Sequence, residues 1–243
     1  MKNVFLTVKE NRPLTNDFYK MVLEGECSGH TAGMFVNIKL QDFTLRRPFG
    51  IADADNHSIT LLYKVVGLGT KYMTTLQNGV IIDVLTCLGN GFNLGKASKP
   101  LLIGGGTGIA PLFKLAKELK SKYPNIILGF RTHEDVCMIH EFSEFGNVHV
   151  TTDDGSYGYK GNVLSYLKST GIVYDYYYAC GPLVMLKNLT SIDKNGELSL
   201  ESRMGCGFGA CMGCSIKTKS GYKRVCKEGP VFNASEVIFD EQT

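Results

Sequence analysis

Leu101-Leu102-Ile103-Gly104-Gly105-Gly106-Thr107-Gly108-Ile109-Ala110-Pro111 is the stretch that decides the fold. A short, wholly apolar run breaks into glycines, and beyond Pro111 the apolar residues resume at helical spacing. Leu112, Leu115, Ala116 and Leu119 recur three and four apart, with Lys114, Lys117, Glu118 and Lys120 between them. Pro111 suits the first turn of that helix, where its missing N–H is no loss. Downstream, Ile126-Ile127-Leu128-Gly129-Phe130, Val148-His149-Val150 and the run 174–179 read as further apolar strands, the last ending on Cys180-Gly181-Pro182. Strands alternating with helices predict a doubly wound parallel sheet covered on both faces, so residues 98–195 are expected to form an α/β domain.

The glycine turn admits two readings. Glycines let a pyrophosphate approach the main chain, and a helix N-terminus supplies positive potential. A tight strand-to-helix connection would use the same residues, and the register is not that of G-x-G-x-x-G. In such sheets the ligand lies outside the carboxyl ends of the strands. Gly104, Gly105, Gly106, Thr107 and Gly108 fall there, as do Cys180, Gly181 and Pro182, and two converging loops favour a bound dinucleotide. After the second strand, Arg131 suits a 2′-phosphate while Glu134 and Asp135 suit a 2′-hydroxyl, which leaves NAD and NADP both open.

Toward the N-terminus the character changes at Lys99-Pro100. Val4-Phe5-Leu6-Thr7-Val8, Phe18-Tyr19-Lys20-Met21-Val22-Leu23, Phe35-Val36-Asn37-Ile38-Lys39-Leu40 and the run 58–66 are short β-rich segments, several alternating apolar and polar. Gly25, Gly29, Gly33, Gly67 and Gly69 fall between or beside them as expected turn residues. Residues 1–97 therefore predict an antiparallel barrel or sandwich.

Toward the C-terminus, from Gly196 on, no periodic pattern is long enough for a large core. Of the eight cysteines, Cys27, Cys87, Cys137 and Cys180 are scattered, reading as small buried hydrophobes, while Cys206, Cys211, Cys214 and Cys226 crowd together. Their spacing, C-x4-C-x2-C-x11-C, is that of a plant-type 2Fe–2S site. Three thiolates come from one turn-rich stretch and the fourth from a neighbouring strand. Gly205, Gly207, Gly209, Ala210 and Gly213 allow the main chain to aim N–H groups at sulfur. Zinc is the competing reading, but it favours paired short knuckles or mixed Cys/His ligands, and only one short pair is present. A hairpin is expected around Ser220-Gly221.

Composition narrows the function classes. The chain has 243 residues, 44% hydrophobic and 20% charged, as ordinary globular domains do. Lys plus Arg number 26 against 23 Asp plus Glu, for a formal charge of +3, too small to imply a nucleic-acid or membrane-surface partner. Neither a membrane-length apolar run nor an export signal is evident, so a cytoplasmic protein is expected. The histidines show no metal-ligand spacing, and no Ser/His/Asp set or carboxylate pair suggests hydrolysis.

With these residues in place, the chain resembles the ferredoxin reductase superfamily. Arg47-Pro48-Phe49-Gly50 looks like its Arg-x-aromatic-Ser flavin motif, residues 104–111 like its dinucleotide loop, and Cys180-Gly181-Pro182 like its late nicotinamide-side motif. The 201–211 and 225–232 stretches are most similar to the electron-transfer subunits of NAD-linked, two-component dihydroorotate dehydrogenases, and the likeness spans essentially the whole chain. The resemblance implies an FAD-binding β-barrel at 1–97, an NAD-binding domain at 98–195 and a small 2Fe–2S segment at 196–243. It implies FAD contacts from Arg47, Pro48, Phe49 and Gly50, from Leu62, Tyr63 and Lys64, and from Gly69 and Thr70, the last two binding phosphate. It implies NAD at residues 104–108 and 180–182. It also implies an FMN-containing dihydroorotate-oxidising partner, two of each subunit, docked near Phe208, Met212 and Gly213. Gly50 departs from the Ser common in the family, so a hydrogen bond near the flavin N5 must come from main chain. The rival readings are a subunit of a sulfide dehydrogenase or NAD(P)–ferredoxin oxidoreductase, and a zinc- or cluster-stapled redox-sensing binding protein.

Overall fold

Alternating side chains build the first unit. Leu6 and Val8 of β1 (Lys2–Pro13), Met21 and Leu23 of β2 (Phe18–Glu24), Val36 and Ile38 of β3 (Phe35–Lys39) and Ile51 of β4 (Arg47–Ala54) turn into one apolar interior. Ile59, Leu61 and Tyr63 of β5 (Ser58–Lys64) join them. The six-residue α1 (Leu68–Met73) follows, and Ile82 and Val84 of β6 (Ile81–Leu88) complete the set. In this computed structural model, which describes residues 1–239, the strands close into an antiparallel barrel of order β1-β2-β5-β4-β3-β6. Closure leaves no edge strand to pair with another chain. Of the expected turn glycines, Gly25, Gly29 and Gly33 do take positive φ. Gly67 instead is extended and caps α1, and Gly69 lies inside it.

The second unit runs β7 (Pro100–Gly105), α2 (Ile109–Glu118), β8 (Asn125–Phe130), α3 (Ile139–Ser143), β9 (Asn147–Thr152) and β10 (Tyr159–Lys160). It continues through α4 (Val163–Ser169), β11 (Tyr176–Cys180), α5 (Leu183–Ile192) and β12 (Gly196–Ser199). A hairpin of β13 (Ser215–Thr218) and β14 (Gly221–Arg224) turns at Lys219-Ser220, and β15 (Val231–Asn233) follows. The large sheet has the order β10-β9-β8-β7-β11-β12-β15 and is parallel except for β15. Successive residues of its strands feed opposite faces. Leu102, Ile126, Leu128 and Tyr178 meet Leu112, Leu115 and Phe142, while Leu101, Ile103, Ile127 and Tyr177 meet Leu164, Leu167, Leu186 and Leu189. Each such side chain contributes about 1.5–3 kcal/mol when fully buried.

Two features position the site. β12 and β15, both within 196–243, extend the dinucleotide-domain sheet, and Cys214, Val225 and Cys226 pack into the core under its second face. The cysteine segment is thus built onto the sheet and has no core of its own; its last four residues, 240–243, lie outside the described residues. The charged side of α2 meets β4. Lys114 is buried, donates to the Ala54 carbonyl (2.9 Å) and pairs with Glu118 (3.2 Å), while Lys117 pairs with Asp53 (2.6 Å). The seam fixes the barrel against α2. Among the described residues no helix is long and apolar enough to cross a membrane.

Candidate functional site

A cleft of about 330 Å³ opens between barrel and sheet, lined on the barrel side by Pro48, Phe49, Gly50, Leu62, Tyr63, Lys64 and Thr70. Arg47 begins β4 and is held over the Phe43 ring, 5.0 Å from its centroid, by a hydrogen bond to the Leu45 carbonyl. Its guanidinium lies against α1, where Gly69 leaves room: a Cβ there would stand 2.8 Å from Arg47 Nε. Residues 47, 69 and 70, distant in sequence, therefore form one cradle of a cation beside a main-chain turn, suited to a pyrophosphate. The Thr70 hydroxyl accepts from the Val66 and Gly67 N–H groups (2.9 and 3.1 Å) and donates its proton to the Gly67 carbonyl (3.1 Å), which leaves the main chain as the group free for an anion. Tyr63 turns its ring into the barrel, where it bonds Asn11 (3.0 Å) and packs edge-on to Phe49. Burial pushes its phenol upward. The ring is a wall that orients Phe49. Gly50 faces Pro111 across the seam, and a Cβ would sit at an ordinary 3.5 Å, so the packing itself does not demand glycine there.

A second cleft, of about 500 Å³, lies at the carboxyl ends of β7, β8, β9 and β11. The glycine loop divides into two roles. Gly105, Gly106 and Thr107 line the cleft, as do Gly181 and Pro182. Gly104 and Gly108 instead permit close packing. A Cβ on Gly104 would press Ile109 and Leu112, and one on Gly108 would stand 2.2 Å from the Cys180 carbonyl oxygen. That near-contact clamps the glycine loop to the 180–182 turn. Cys180 is fully buried, lines the first cleft, and has its thiol pushed well up by desolvation.

The two clefts meet at Lys64, Val66, Thr107 and Glu201. Lys64, expected on the flavin side alone, spans both. Its ammonium pairs with Asp135 (2.8 Å) on the loop after β8 and with Asp17 (3.1 Å), and the Asp135 hydrogen bond holds its pKa above the usual lysine value. Glu201 belongs to no site motif. It follows β12 directly and reaches the junction, where solvent enters through the open clefts while surrounding protein raises its carboxyl above the usual range. Its only sequence signal is position, just past the carboxyl end of a parallel strand.

Beyond the first cleft, past Met204 and Pro230, stands the cysteine loop. All four thiols are free and fall into two pairs. Cys206 and Cys211 lie half-buried with sulfurs 3.4 Å apart; Cys214 and Cys226 are buried, the Cys226 N–H donating to the Cys214 sulfur (3.4 Å). Burial raises the Cys206 thiol, but N–H groups of Cys211, Phe208 and Ala210 outweigh it and bring it to about 6, favouring thiolate. Arg224, paired with Glu228, pins the loop through the Gly209 carbonyl. Among the described residues no three Cys, His, Asp or Glu converge on a single metal ion. Two thiol pairs side by side are what a binuclear cluster needs, two sulfurs for each iron, so the donor set fits 2Fe–2S better than zinc. Phe208 (42% exposed) and Met212 (60%) project from the loop's outer side.

Comparison with known proteins agrees with this layout. The family described as "Iron-sulfur cluster binding domain of dihydroorotate dehydrogenase B" matches residues 201–238, and "Oxidoreductase NAD-binding domain" matches 102–190. Among curated relatives, the "Dihydroorotate dehydrogenase B (NAD(+)), electron transfer subunit" of Fusobacterium nucleatum is 42% identical over 98% of this chain and 99% of its own. The protein of the same name from Geobacillus sp. is 41% identical over 98% and 99%. Among solved structures, a chain of the NADH-dependent reduced ferredoxin-NADP oxidoreductase superposes with a TM-score of 0.90 at 29% identity, covering 98% of this chain and 91% of that one. The ferredoxin reductase in carbazole 1,9a-dioxygenase, at 18% identity and TM-score 0.69 over 79% of this chain and 64% of its own, shares the fold. Near-full-length identity of about 40% places the chain: it belongs to the family of dihydroorotate dehydrogenase B (NAD(+)) electron transfer subunits.

Proposed function

We propose that the chain carries electrons from an FMN-containing, dihydroorotate-oxidising partner to NAD, with a 2Fe–2S cluster and FAD as resident carriers, in cytoplasmic pyrimidine biosynthesis. The observation that carries this reading is the linear order of the three sites: paired thiols, flavin cleft, dinucleotide cleft, the last two sharing Lys64 and Glu201. Bound FAD supplies the exchange between hydride equivalents and single electrons, and the cluster supplies one-electron relay.

The chain's own residues do the positioning. Arg47, Gly69 and the α1 main chain would hold the FAD pyrophosphate, with Pro48, Phe49 and Gly50 placing the ring and Leu62, Tyr63 and Lys64 walling it. Gly105, Gly106, Thr107, Gly181 and Pro182 would hold NAD, while Gly104, Gly108 and Cys180 close the turns on each other. Cys206 with Cys211 would hold one iron and Cys214 with Cys226 the other. The division into modules at 1–97, 98–195 and 196–243 serves as a functional partition, with β12 and β15 lending the third module its anchorage. Phe208, Met212 and Gly213 form the docking surface for the partner, in an assembly of two of each subunit. NAD is the nucleotide in the relatives' names, and the paired Asp135 at the cleft suits it.

Replacing Cys211 by Ser in the purified two-subunit complex tests the route. Reduction of NAD by dihydroorotate must collapse together with the iron content. Undiminished turnover from iron-free protein would overturn the reading. The 0.90 superposition favours one rival, a ferredoxin-NADP oxidoreductase subunit, but at 29% identity against 42%.

A further inference from the structure

Asn37 stands between the cysteine loop and the flavin strand. It lies on β3, is 1% exposed, and donates from Nδ2 to the Cys206 carbonyl (3.3 Å). The neighbouring Gly207 turns at φ 76°, and a Cβ on it would fall 2.2 Å from Asn37 Nδ2, so the loop closes onto the amide with no side chain between them. Across the barrel wall Asn37 is in register with Pro48 of β4, a wall of the flavin cleft. Its own carbonyl accepts from Arg46 (3.3 Å), whose guanidinium is held by Asp83 in a two-pronged ion pair. Arg46 and Asp83 thus lock the strand from behind while the amide grips the loop in front. The Oδ1 atom is buried without a partner, a cost that native structures keep only where the side chain is wanted for something else.

We propose that Asn37 is a positioning residue for the electron-transfer reaction, fixing the Cys206–Gly207 end of the cysteine loop at a set distance from the flavin strand. This rests on the reading of the cysteine loop as a 2Fe–2S site and the barrel cleft as the FAD site. The amide acts through main chain, on the carbonyl of one cysteine and the turn beside it, so it governs where the outer thiol pair sits and not how many thiols there are.

The test uses the full chain, purified anaerobically with its cofactors, as wild type, Asn37→Ala and the isosteric Asn37→Asp. The aspartate keeps the shape but lacks the amide N–H, and in alkaline buffer, where its carboxyl is ionised, it offers only acceptor oxygen to the Cys206 carbonyl and repels where the amide bound. The readouts are the iron content, the electron paramagnetic resonance spectrum of the reduced protein, and stopped-flow traces that separate flavin bleaching by NADH from the later cluster reduction. The expectation is flavin bleaching within twofold of wild type in both variants, an altered resonance spectrum, and cluster reduction slowed about tenfold, most in Asn37→Asp. A tenfold change corresponds to about 1.4 kcal/mol, within the range of one hydrogen bond. Wild-type spectra and rates in Asn37→Asp overturn the inference. So does parallel loss of flavin bleaching and cluster reduction, which marks Asn37 as a fold residue only. Wild-type protein lacking iron would instead remove the cluster reading on which the inference stands.

Discussion

Replacing Gly108 by Ala adds one methyl group and tests whether the two dinucleotide loops are clamped to each other. The new Cβ would stand 2.2 Å from the Cys180 oxygen, 2.4 Å from its carbonyl carbon and 2.6 Å from the Gly181 nitrogen. Ordinary contact is about 3.5 Å, so the loops must part by about 1.3 Å. Every obstructing atom is main chain, so no rotamer change relieves the clash. Gly108 has φ −64°, so an alanine there carries no conformational penalty and the effect is steric alone. Overpacking of this kind costs about 1–3 kcal/mol, which lowers Tm by about 2–4 °C per kcal/mol in a protein of this size. Because the displaced turn carries Gly181 and Pro182, KM for NADH should rise about tenfold or more in the flavin-bleaching assay, with FAD content preserved. Gly171→Ala is the matched control: no atom lies within 4 Å of its Cβ, and the residue sits on the loop before β11, outside both clefts. Equal effects of the two substitutions, or a silent Gly108→Ala, would refute the clamp.

Gly50→Ser should fold and keep FAD, with Tm within about 2 °C of wild type, because its Cβ meets Pro111 at 3.5 Å; stopped-flow bleaching by NADH would show whether the added hydroxyl accelerates the step, and loss of FAD would show that the seam is tighter than described. Gly69→Ala should weaken FAD retention on gel filtration by displacing Arg47, whereas Gly67→Ala, with open space around it, should not. Lys64→Met removes partly exposed ion pairs and should cost about 1 kcal/mol or less. Its pH signature has a definite sign: the folded-state pKa of Lys64 is raised, so its contribution is full below the ordinary value of 10.5 and is lost as pH rises through the higher folded value. Wild type and variant should therefore differ in thermal stability at neutral pH and converge only in strong alkali.

What was legible in the sequence is what depends on local spacing. The cysteine ligand set could be read because three of its members share one loop, and α2 because its apolar residues follow a helical period. β4 and β6 were harder. β4 opens on Arg47-Pro48 and carries Gly50, which blurs its alternation, and β6 reads clearly only once β1 and β3 flank it. The burial of Lys114 has no local signal, because the helical pattern assumes one partner whereas α2 has two, the sheet and β4. Lys64 at both clefts, Glu201 at their junction and Asn37 beneath the cysteine loop are tertiary coincidences of segments far apart in sequence, with no local signature to betray them. The anchoring of the cysteine segment was hidden for the same reason: β15 has only three residues and gains its meaning by pairing with β12.

Elemental and cofactor analysis of anaerobically prepared protein bears most directly on the account. Two irons and two acid-labile sulfides per chain, beside one FAD and no zinc, are the predicted result. Stoichiometric zinc, or neither iron nor sulfide, would contradict it.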